Sequence, residues 1–322
     1  MTQPVHIGVD VGGTKVLGIV CDIETGKTRA RRRQPTPSSH VELPNVISSV
    51  VAELVDDVGR VDSIGVGLPG LVDTNGMLHY GPNVPGVLSL NMASQLRKEF
   101  EVPTAGHNDG TCAVVAEHRL GAAKGYSDVA MITQGTGIGG GLIINDQVVT
   151  GVNGFAGEPG HVQISHGGAV CSCGLKGCWE AYSSGTGLAN LAKELVTEAG
   201  PNRVLELAGG VLDHIRGEHV SAALDEGDPS AQEILDRFAI WTSVGIAGLV
   251  SLLDPGVIVI GGGLSNLAET FIADVKARVP GQLMGSDYRP ETPIVTAQMG
   301  PESGAIGAAI NGYDVFIEES MQ

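Results

Sequence analysis

Short apolar runs alternate with polar turns through the first 33 residues of the chain. Residues 5–11 and 16–21 are rich in apolar side chains, and Gly12-Gly13-Thr14 separates them. Apolar runs of this length that end at glycine predict buried strands joined by a tight turn. A polar turn at 24–27 then leads into a third, basic strand at 28–33. The chain is therefore predicted to begin with a three-stranded meander.

The same order recurs in the second half of the chain. Residues 129–133 predict a strand, residues 134–141 a glycine-rich turn with a threonine, and residues 142–144 the returning strand. A polar turn at Asn145-Asp146 leads into a third strand at 147–150. Because this repeats the opening pattern, the sequence predicts two domains that begin alike, each with a glycine hairpin.

Longer stretches carry apolar residues at helical spacing. Residues 43–59 predict a helix with Pro44 in its first turn, and residues 228–253 predict the longest helix, which Asp254-Pro255 ends. Six apolar residues of the longest helix are predicted to be core: Ile234, Phe238, Trp241, Val244, Ile246 and Leu249. The other predicted elements are helices at 111–123, 187–199 and 302–311, a polar and mostly helical segment at 201–226, and strands at 64–68, 102–105 and 257–260.

Composition limits the classes of function. With 322 residues and 42% hydrophobic content, the chain is long enough for two domains, each with its own core. The 36 acidic residues outnumber the 19 basic ones, and the net charge of −17 argues against nucleic acid and anionic membranes as partners. The N-terminus lacks the basic and apolar regions of a signal peptide, and the longest apolar-rich stretch, 244–253, is too short to span a bilayer. We therefore expect a cytoplasmic protein that acts on a small molecule.

Residues 154–185 hold the densest group of metal-ligand side chains: His161, Cys171, Cys173 and Cys178. Three sulfurs and one imidazole suit tetrahedral Zn²⁺, and a site with four protein ligands is structural. A disulfide among the three cysteines is the alternative, but such clusters bind metal more often in proteins that are not exported. The isolated Cys21 and Cys112 lie in apolar contexts and are predicted to be small core residues.

Three polar positions each allow two interpretations. At the first glycine turn, backbone N–H groups, Thr14 and Lys15 would bind a phosphate while Asp10 holds Mg²⁺ through water, or the turn is an ordinary hairpin. Asp109 precedes a predicted helix, where it would act as a general base or simply cap the helix. The turn-rich segment 70–86, which contains Asn83, would bind a polar ligand or only reverse the chain.

Four motifs together resemble one family. They are DVGGTK at 10–15, GTGIGGG at 135–141, EPGH at 158–161 and CSCGLKGCWE at 171–180. On these motifs the chain resembles, over its whole length, the ROK sugar kinases and within them the bacterial glucokinases. The resemblance implies the α/β actin-like fold of sugar kinases, Hsp70 and actin, with ATP and sugar in a cleft between two α/β domains. It implies a small domain of residues 1–108 and 302–322, and a large domain of residues 109–301 that carries the zinc loop.

The resemblance also implies roles in sugar binding. Asp109 becomes the catalytic base, which takes the proton from the sugar's 6-hydroxyl before that oxygen attacks the γ-phosphate of ATP. Asp109 and six further residues are expected to contact the sugar: Gly70, Asn83, Asn108, Glu158, His161 and Glu180. One ring nitrogen of His161 is expected on zinc and the other near the sugar, so that the metal would orient the imidazole.

Nucleotide binding is implied for both glycine hairpins and for the triple glycine near residue 262. The expected residues are Asp10, Gly12, Gly13, Thr14, Lys15, Gly135, Thr136, Gly137, Gly139, Gly261, Gly262 and Gly263, with Asp10 also holding Mg²⁺. The implied cofactors are thus ATP, Mg²⁺ and structural Zn²⁺. The family resemblance also favours a homodimer or homotetramer.

Glucose is the expected substrate, and one departure from the family pattern bears on it. The family commonly has Trp after Asn-x-Pro-Gly, whereas Val87 follows Asn83-Val84-Pro85-Gly86 here. N-acetylglucosamine, mannose and N-acetylmannosamine are therefore alternatives, and fructose ranks lower because the cysteine pattern differs from that of the ROK fructokinases. ATP is the expected donor, with polyphosphate as an alternative.

Two rivals come from other classes. Gly135-x-Gly137-x-x-Gly140 matches the dinucleotide fingerprint, and Glu158 lies near the spacing of a ribose ligand. That fingerprint must open a helix, however, and residues 141–144 predict a strand. The second rival is a ROK-type transcriptional regulator, but only nine residues precede Asp10, and the acidic charge is unsuited to DNA.

Overall fold

A computed structural model describes residues 4–39, 41–81 and 89–322 of the chain. The chain forms two compact units. The first unit comprises Met1–Met131, Gly140–Gly157 and Ala297–Gln322, and the second comprises Ile132–Gly139 and Glu158–Thr296. The domain boundary expected between Asn108 and Asp109 stays a prediction, because compactness alone does not show which segments fold independently.

The described residues form twelve strands and ten α-helices. The strands are β1 (His6–Val11), β2 (Lys15–Cys21), β3 (Thr28–Pro35), β4 (Ser63–Leu68), β5 (Leu71–Val72), β6 (Leu78–Tyr80), β7 (Thr104–Asn108), β8 (Val129–Gln134), β9 (Ile138–Ile144), β10 (Gln147–Val148), β11 (Val257–Gly261) and β12 (Ile294–Thr296). The helices are α1 (Leu43–Val58), α2 (Met92–Phe100), α3 (Asp109–Leu120), α4 (Glu180–Ser183), α5 (Gly185–Ala199), α6 (Arg203–Leu207), α7 (Gly217–Asp225), α8 (Pro229–Leu253), α9 (Ser265–Arg278) and α10 (Ser303–Ser320).

The first unit is built on a mixed sheet with the strand order β3-β2-β1-β4-β7. Strand β2 pairs antiparallel with both β1 and β3, so the predicted meander of β1 to β3 is confirmed. Strand β1 also pairs parallel with β4. Side chains from this sheet and from α1 form one buried apolar cluster, which includes Ile7, Val9, Ile47 and Leu54. The sheet therefore supports the glycine turn that follows β1 and the start of α3, which follows β7 directly.

Helix α10 packs against β1, β4 and α3 of the same unit. A Cβ atom on Gly8 would lie 1.9 Å from the carbonyl oxygen of Ala305, and one on Gly65 would lie 1.7 Å from that of Ala308. Glycine at these strand positions therefore lets the helix backbone lie directly on the sheet. The predicted small-residue helix at 302–311 is confirmed in type, but the structure extends it to Ser320.

A second five-stranded sheet has the order β10-β9-β8-β11-β12. Helices α4, α5, α7 and α9 pack against the long helix α8. Asp228 caps α8 by accepting a hydrogen bond from the backbone N–H of Ala231, as its position before Pro229 predicts. Of the six residues predicted to be core, three are buried (Ile234, Phe238 and Ile246) and three are partly buried (Trp241, Val244 and Leu249).

Helix α8 is the one helix among the described residues that is long and apolar enough to cross a membrane. This match rests on length and composition alone, and 56% of its most apolar window is buried inside the protein. Burial against neighbouring helices is what a core helix of a folded domain shows.

Three parts of the sequence prediction were wrong or incomplete. The segment 70–86 is more than turns, because β5 and β6 form an antiparallel hairpin within it. The second glycine turn is shorter than predicted, because β9 begins at Ile138 and so contains Gly139, Gly140 and Gly141. Helices α2 and α9 and strand β12 were not predicted, since their apolar positions are few or their length is short.

Candidate functional site

The first glycine turn joins β1 to β2 in the first unit. The backbone N–H of Gly12 donates to the carbonyl oxygen of Lys15 at 2.8 Å, which closes the turn. Thr36 holds it from the side, because its hydroxyl donates to the carbonyl oxygen of Gly12 at 2.6 Å and its N–H to that of Thr14 at 3.2 Å. Gly12, Gly13, Thr14 and Lys15 therefore form one short turn directly after Asp10 on β1.

Asp10 lies where the sheet meets the start of α10. A Cβ atom on Gly304 would lie 2.7 Å from its Oδ1 atom, so only glycine leaves room for the carboxylate. Burial raises the pKa of Asp10 to about 6, although the Lys15 ammonium acts in the opposite direction. A partly desolvated carboxylate at a strand end is a chemically suitable ligand for hydrated Mg²⁺.

The neighbouring residues Asn108 and Asp109 make different hydrogen bonds at the start of α3. Asn108 caps the helix, because its Oδ1 accepts from the N–H of Thr111 at 3.1 Å. Its Nδ2 donates to the carbonyl oxygen of Gly70 at 3.1 Å. Asp109 is the first helical residue, and its Oδ1 accepts from the N–H of Gly110 at 2.9 Å. The interpretation of Asp109 as the helix cap is therefore wrong, because Asn108 fills that position.

Gly70 has a structural reason to be glycine. Its φ is +111°, and a Cβ atom would lie 2.1 Å from the carbonyl oxygen of Tyr80. Any side chain would therefore disrupt the β5–β6 hairpin. The predicted sugar contact Asn83 and the departure at Val87 lie outside the described residues.

The four predicted metal ligands of the second unit come together. One ligand atom from each of His161, Cys171, Cys173 and Cys178 lies within 4.8 Å of the other three. The sulfurs of Cys173 and Cys178 are 3.8 Å apart, and the sulfur of Cys171 lies 3.7 Å from Nδ1 of His161. A tetrahedron with Zn–S bonds of about 2.3 Å has edges of about 3.8 Å. The donor set and its spacing therefore fit Zn²⁺ with no open coordination position.

Since Nδ1 of His161 faces the sulfurs, Nε2 is the ring nitrogen left for another partner. Ligation of one imidazole nitrogen fixes which nitrogen can carry the proton. The other two cysteines, Cys21 and Cys112, are buried, as predicted for core residues.

Two carboxylates lie beside this cluster. Burial, and then the negative charge of Glu180, raise the pKa of Glu158 to about 7. The Oε1 atom of Glu180 accepts from the hydroxyl of Ser172 at 2.7 Å, and its Oε2 atom accepts from the N–H of Ile138 at 2.9 Å. The metal loop, residues 158–183, thus brings Glu158, His161 and Glu180 into one region of the second unit.

The second glycine turn is Gly135-Thr136-Gly137. The N–H of Gly135 donates to the carbonyl oxygen of Gly137 at 2.9 Å, and the N–H of Gly185 donates to that of Gly135 at 2.8 Å. Gly139 was predicted to belong to this turn, but it lies in β9.

A cavity of about 530 Å³ adjoins this turn. Gly135, Thr136 and Gly263 line it, so three of the predicted nucleotide residues meet there. Gly262 has a φ of +99° and lies against the backbone of Gln134, and Gly261 is the last residue of β11. The sequence prediction missed the polar residues of the wall that lie on or near α5 and α7, among them Asn190, Lys193, Arg216 and Ser221. Their only signal was the polar character of the helices at 187–199 and 201–226.

Known sugar kinases are similar to this chain over nearly its full length. A glucokinase of Streptomyces coelicolor is 34% identical over 310 residues, which cover 94% of this chain and 96% of the relative. An N-acetyl-D-glucosamine kinase of Pectobacterium carotovorum is 31% identical over 316 residues, which cover 95% and 98%. The crystal structure of a ROK family glucokinase from Streptomyces griseus, in complex with glucose and AMPPNP, matches with a TM-score of 0.85.

The structural match has 34% sequence identity and covers 96% of this chain and 99% of the other. The predicted actin-like α/β fold and the predicted resemblance to glucokinases are thereby confirmed. The interpretation of Gly135, Gly137 and Gly140 as a dinucleotide-binding motif is wrong. That motif must open a helix, whereas the residues after Gly137 form strand β9. The sequence pattern of the ROK family matches residues 6–311, and this chain belongs to the ROK family.

Proposed function

We propose that the protein transfers the γ-phosphoryl group of ATP to the 6-hydroxyl of a hexose, and that glucose is the preferred hexose. The observation that carries this proposal is the likeness, over 96% of the chain, to a glucokinase whose structure holds glucose and AMPPNP, an analogue of ATP. The glucokinase of Streptomyces coelicolor supports the same substrate.

Asp109 is the proposed catalytic base. A carboxylate can serve as a general base when the hydroxyl whose proton it takes lies within hydrogen-bond reach. Asn108 fills the N-cap position, and Asp109 is the first residue of the helix. The remaining proposed sugar contacts are Gly70, Asn83, Asn108, Glu158, His161 and Glu180, with His161 contacting the sugar through Nε2.

The proposed donor is ATP with Mg²⁺. In phosphoryl transfer, positioning of the phosphates and neutralisation of their charge supply most of the acceleration. We assign the phosphates to the glycine turns at Gly12-Gly13-Thr14 and Gly135-Thr136-Gly137, with Lys15 adding a positive charge. Asp10 would hold the hydrated Mg²⁺, and the 530 Å³ cavity lined by Gly263 would take the adenosine.

Zn²⁺ would be held by His161, Cys171, Cys173 and Cys178. With four protein ligands it supplies no reactive water, so its contribution is to fix the loop that carries Glu158 and Glu180. The proposal also includes a cytoplasmic location, where ATP is abundant, and assembly as a homodimer or homotetramer, which sedimentation velocity would measure.

The test is a coupled ADP-release assay with ATP and Mg²⁺ and a panel of glucose, mannose, N-acetylglucosamine, N-acetylmannosamine and fructose. We expect the highest kcat/KM with glucose. A preference for N-acetylglucosamine would keep the mechanism and change the substrate, as the Pectobacterium relative allows. Polyphosphate in place of ATP tests the donor, and absence of sugar-dependent ADP release with either donor would contradict the proposal.

A further inference from the structure

The backbone of Ile138 is contacted by the metal loop at both its N–H and its carbonyl group. The Oε2 atom of Glu180 accepts from the N–H of Ile138 at 2.9 Å. Gly160 lies so close that a Cβ atom there would be 2.2 Å from the carbonyl oxygen of Ile138. Ile138 is the first residue of β9 and directly follows the glycine turn 135–137. The metal loop therefore sets where this turn ends.

The same carboxylate also contacts the cluster. Its Oε1 atom accepts from the hydroxyl of Ser172 at 2.7 Å and lies 3.3 Å from the sulfur of Cys171. One oxygen of Glu180 thus contacts the metal loop at Ser172, and the other contacts the end of the glycine turn at Ile138. A side chain that only contacted sugar would need neither contact.

Gly137 is shaped around this arrangement. A Cβ atom on Gly137 would lie 2.3 Å from Oε2 and 3.0 Å from Cδ of Glu180. The φ of Gly137 is not in the left-handed region, so its backbone conformation does not itself require glycine. The reason for glycine here is the approach of the carboxylate.

The turn also forms part of the cavity wall. Gly135 and Thr136 line the cavity, and the hydroxyl of Thr186 donates to the carbonyl oxygen of Thr136 at 2.9 Å. With the bond from Gly185 N–H to Gly135, the turn is fixed at its start by α5 and at its end by Glu180. A substitution of Glu180 is therefore expected to displace the backbone N–H groups of the turn that would bind a phosphate.

We propose that Glu180 is a positioning residue for the nucleotide: by holding the N–H of Ile138, it fixes the turn 135–137 and so couples the metal loop to the affinity for ATP. This inference rests on the proposed function and extends it, because the family resemblance assigns Glu180 to the sugar alone. The coupling makes the affinity for the nucleotide depend on a residue of the sugar-binding loop.

The experiment compares Glu180→Ala with Glu180→Gln in the full-length, zinc-loaded protein. Glutamine can still accept from Ile138 N–H through its amide oxygen, whereas alanine cannot. We measure the dissociation constant of Mg²⁺–AMPPNP without sugar by calorimetry, the KM values for ATP and glucose, and the zinc content. Loss of a hydrogen bond to a charged acceptor predicts that Glu180→Ala weakens AMPPNP binding roughly tenfold. Glu180→Gln should restore AMPPNP binding to near the wild-type value, while KM for glucose stays raised in both variants.

A second variant keeps the proposal testable if Glu180→Ala folds poorly. Gly137→Ala retains Glu180 but displaces its carboxylate, so it should weaken AMPPNP binding with normal zinc content. AMPPNP binding and KM for ATP within about twofold of wild type in Glu180→Ala would overturn the inference, as would failure of glutamine to restore them. If wild type itself shows no sugar-dependent ADP release, the proposed function fails instead, and the two failures are thereby distinguished.

Discussion

Adjacent side chains with similar chemistry have different tasks in this protein. Asn108 and Asp109 are both short polar residues at the junction of β7 and α3, and either type commonly caps a helix. The structure gives the cap to Asn108, which also bonds the backbone at Gly70. This arrangement leaves Asp109 at the first helical position, where sequence alone could not distinguish a cap from a base.

Asp109→Asn should retain sugar binding but reduce kcat by about a thousandfold, the range expected when a general base is lost. The amide is nearly isosteric with the carboxylate but cannot accept the proton of the 6-hydroxyl. ADP release gives kcat, and calorimetry gives the glucose dissociation constant. Asp56→Asn, an exposed site on α1 with the same charge change, is the control. Turnover like that of wild type would refute the assignment.

Glu117 is a buried carboxylate that the sequence prediction missed. It is fully buried on α3, and it accepts from three backbone N–H groups: those of Ala122, Gln298 and Met299. Residues 298 and 299 lie just before α10, so this side chain replaces the hydrogen bonds that the connecting segment would otherwise lack. The sequence of α3 gave no indication of that role.

Replacing Glu117 by alanine should lower the free energy of unfolding by about 3 kcal/mol, because buried N–H groups lose a charged acceptor. Chemical denaturation measures this change. Glu318→Ala on the exposed end of α10 is the matched control, and we expect it to stay within about 0.5 kcal/mol of wild type. Equal stability of the two variants would show that the Glu117 contacts contribute nothing.

Among the elements, the metal loop carries the four candidate zinc ligands and the two carboxylates Glu158 and Glu180. It contains one 3₁₀ turn, Pro159–His161, and the short helix α4, with little other regular structure. Backbone hydrogen bonds such as those from Trp179 N–H to Val162 and from Gly177 N–H to Ala169 order the loop in part, and metal ligation is expected to add to that order. The loop then holds Glu158 and Glu180 in place through the ligands beside them.

Cys173→Ser should weaken zinc binding by more than about tenfold, because serine is a poor ligand for Zn²⁺. We expect a raised KM for glucose and a lower melting temperature, since the loop that carries the proposed sugar contacts loses its support. Metal analysis by mass spectrometry, steady-state kinetics and thermal melting check the three effects. Cys21→Ala, a buried cysteine of β2 outside the cluster, should keep its zinc. Full activity of a zinc-free Cys173→Ser protein would contradict the scaffold role.

Charge acts over the entire chain. The excess of 17 negative charges produces a net repulsion that favours expanded conformations. The ion pairs of the described residues are mostly between partly or fully exposed side chains, and such pairs contribute little to stability. When salt is added, screening of the repulsion should therefore stabilise the folded protein more than weakening of these ion pairs destabilises it.

Raising the NaCl concentration from about 20 mM to about 500 mM, which shortens the Debye length severalfold, should increase the melting temperature. Equal ionic strengths of NaCl, KCl and choline chloride serve as controls, because screening depends on ionic strength and not on the cation. A melting temperature that falls with salt, or that rises with only one cation, would argue against net repulsion as the cause.

Patterns that depend on neighbours along the chain were predictable. The meander of β1 to β3, helices α1 and α8 and the cysteine cluster rest on apolar spacing, capping residues and ligand types, all of which are local. The ROK motifs made the family and the fold predictable as well. Helix α2, the β5–β6 hairpin and the start of β9 were not predicted, because short elements depend on partners distant in sequence.

The sequence by itself determined the order of the main elements, the four candidate zinc ligands, the acidic charge and the family. Only the tertiary structure decided which of two neighbouring residues caps α3, why Gly70 and Gly137 must lack side chains, and that Glu180 bonds the turn at Ile138. The physical reason is that ligand type and periodicity are properties of each residue and its chain neighbours. Hydrogen-bond partners and close approaches, in contrast, exist only after distant segments pack together.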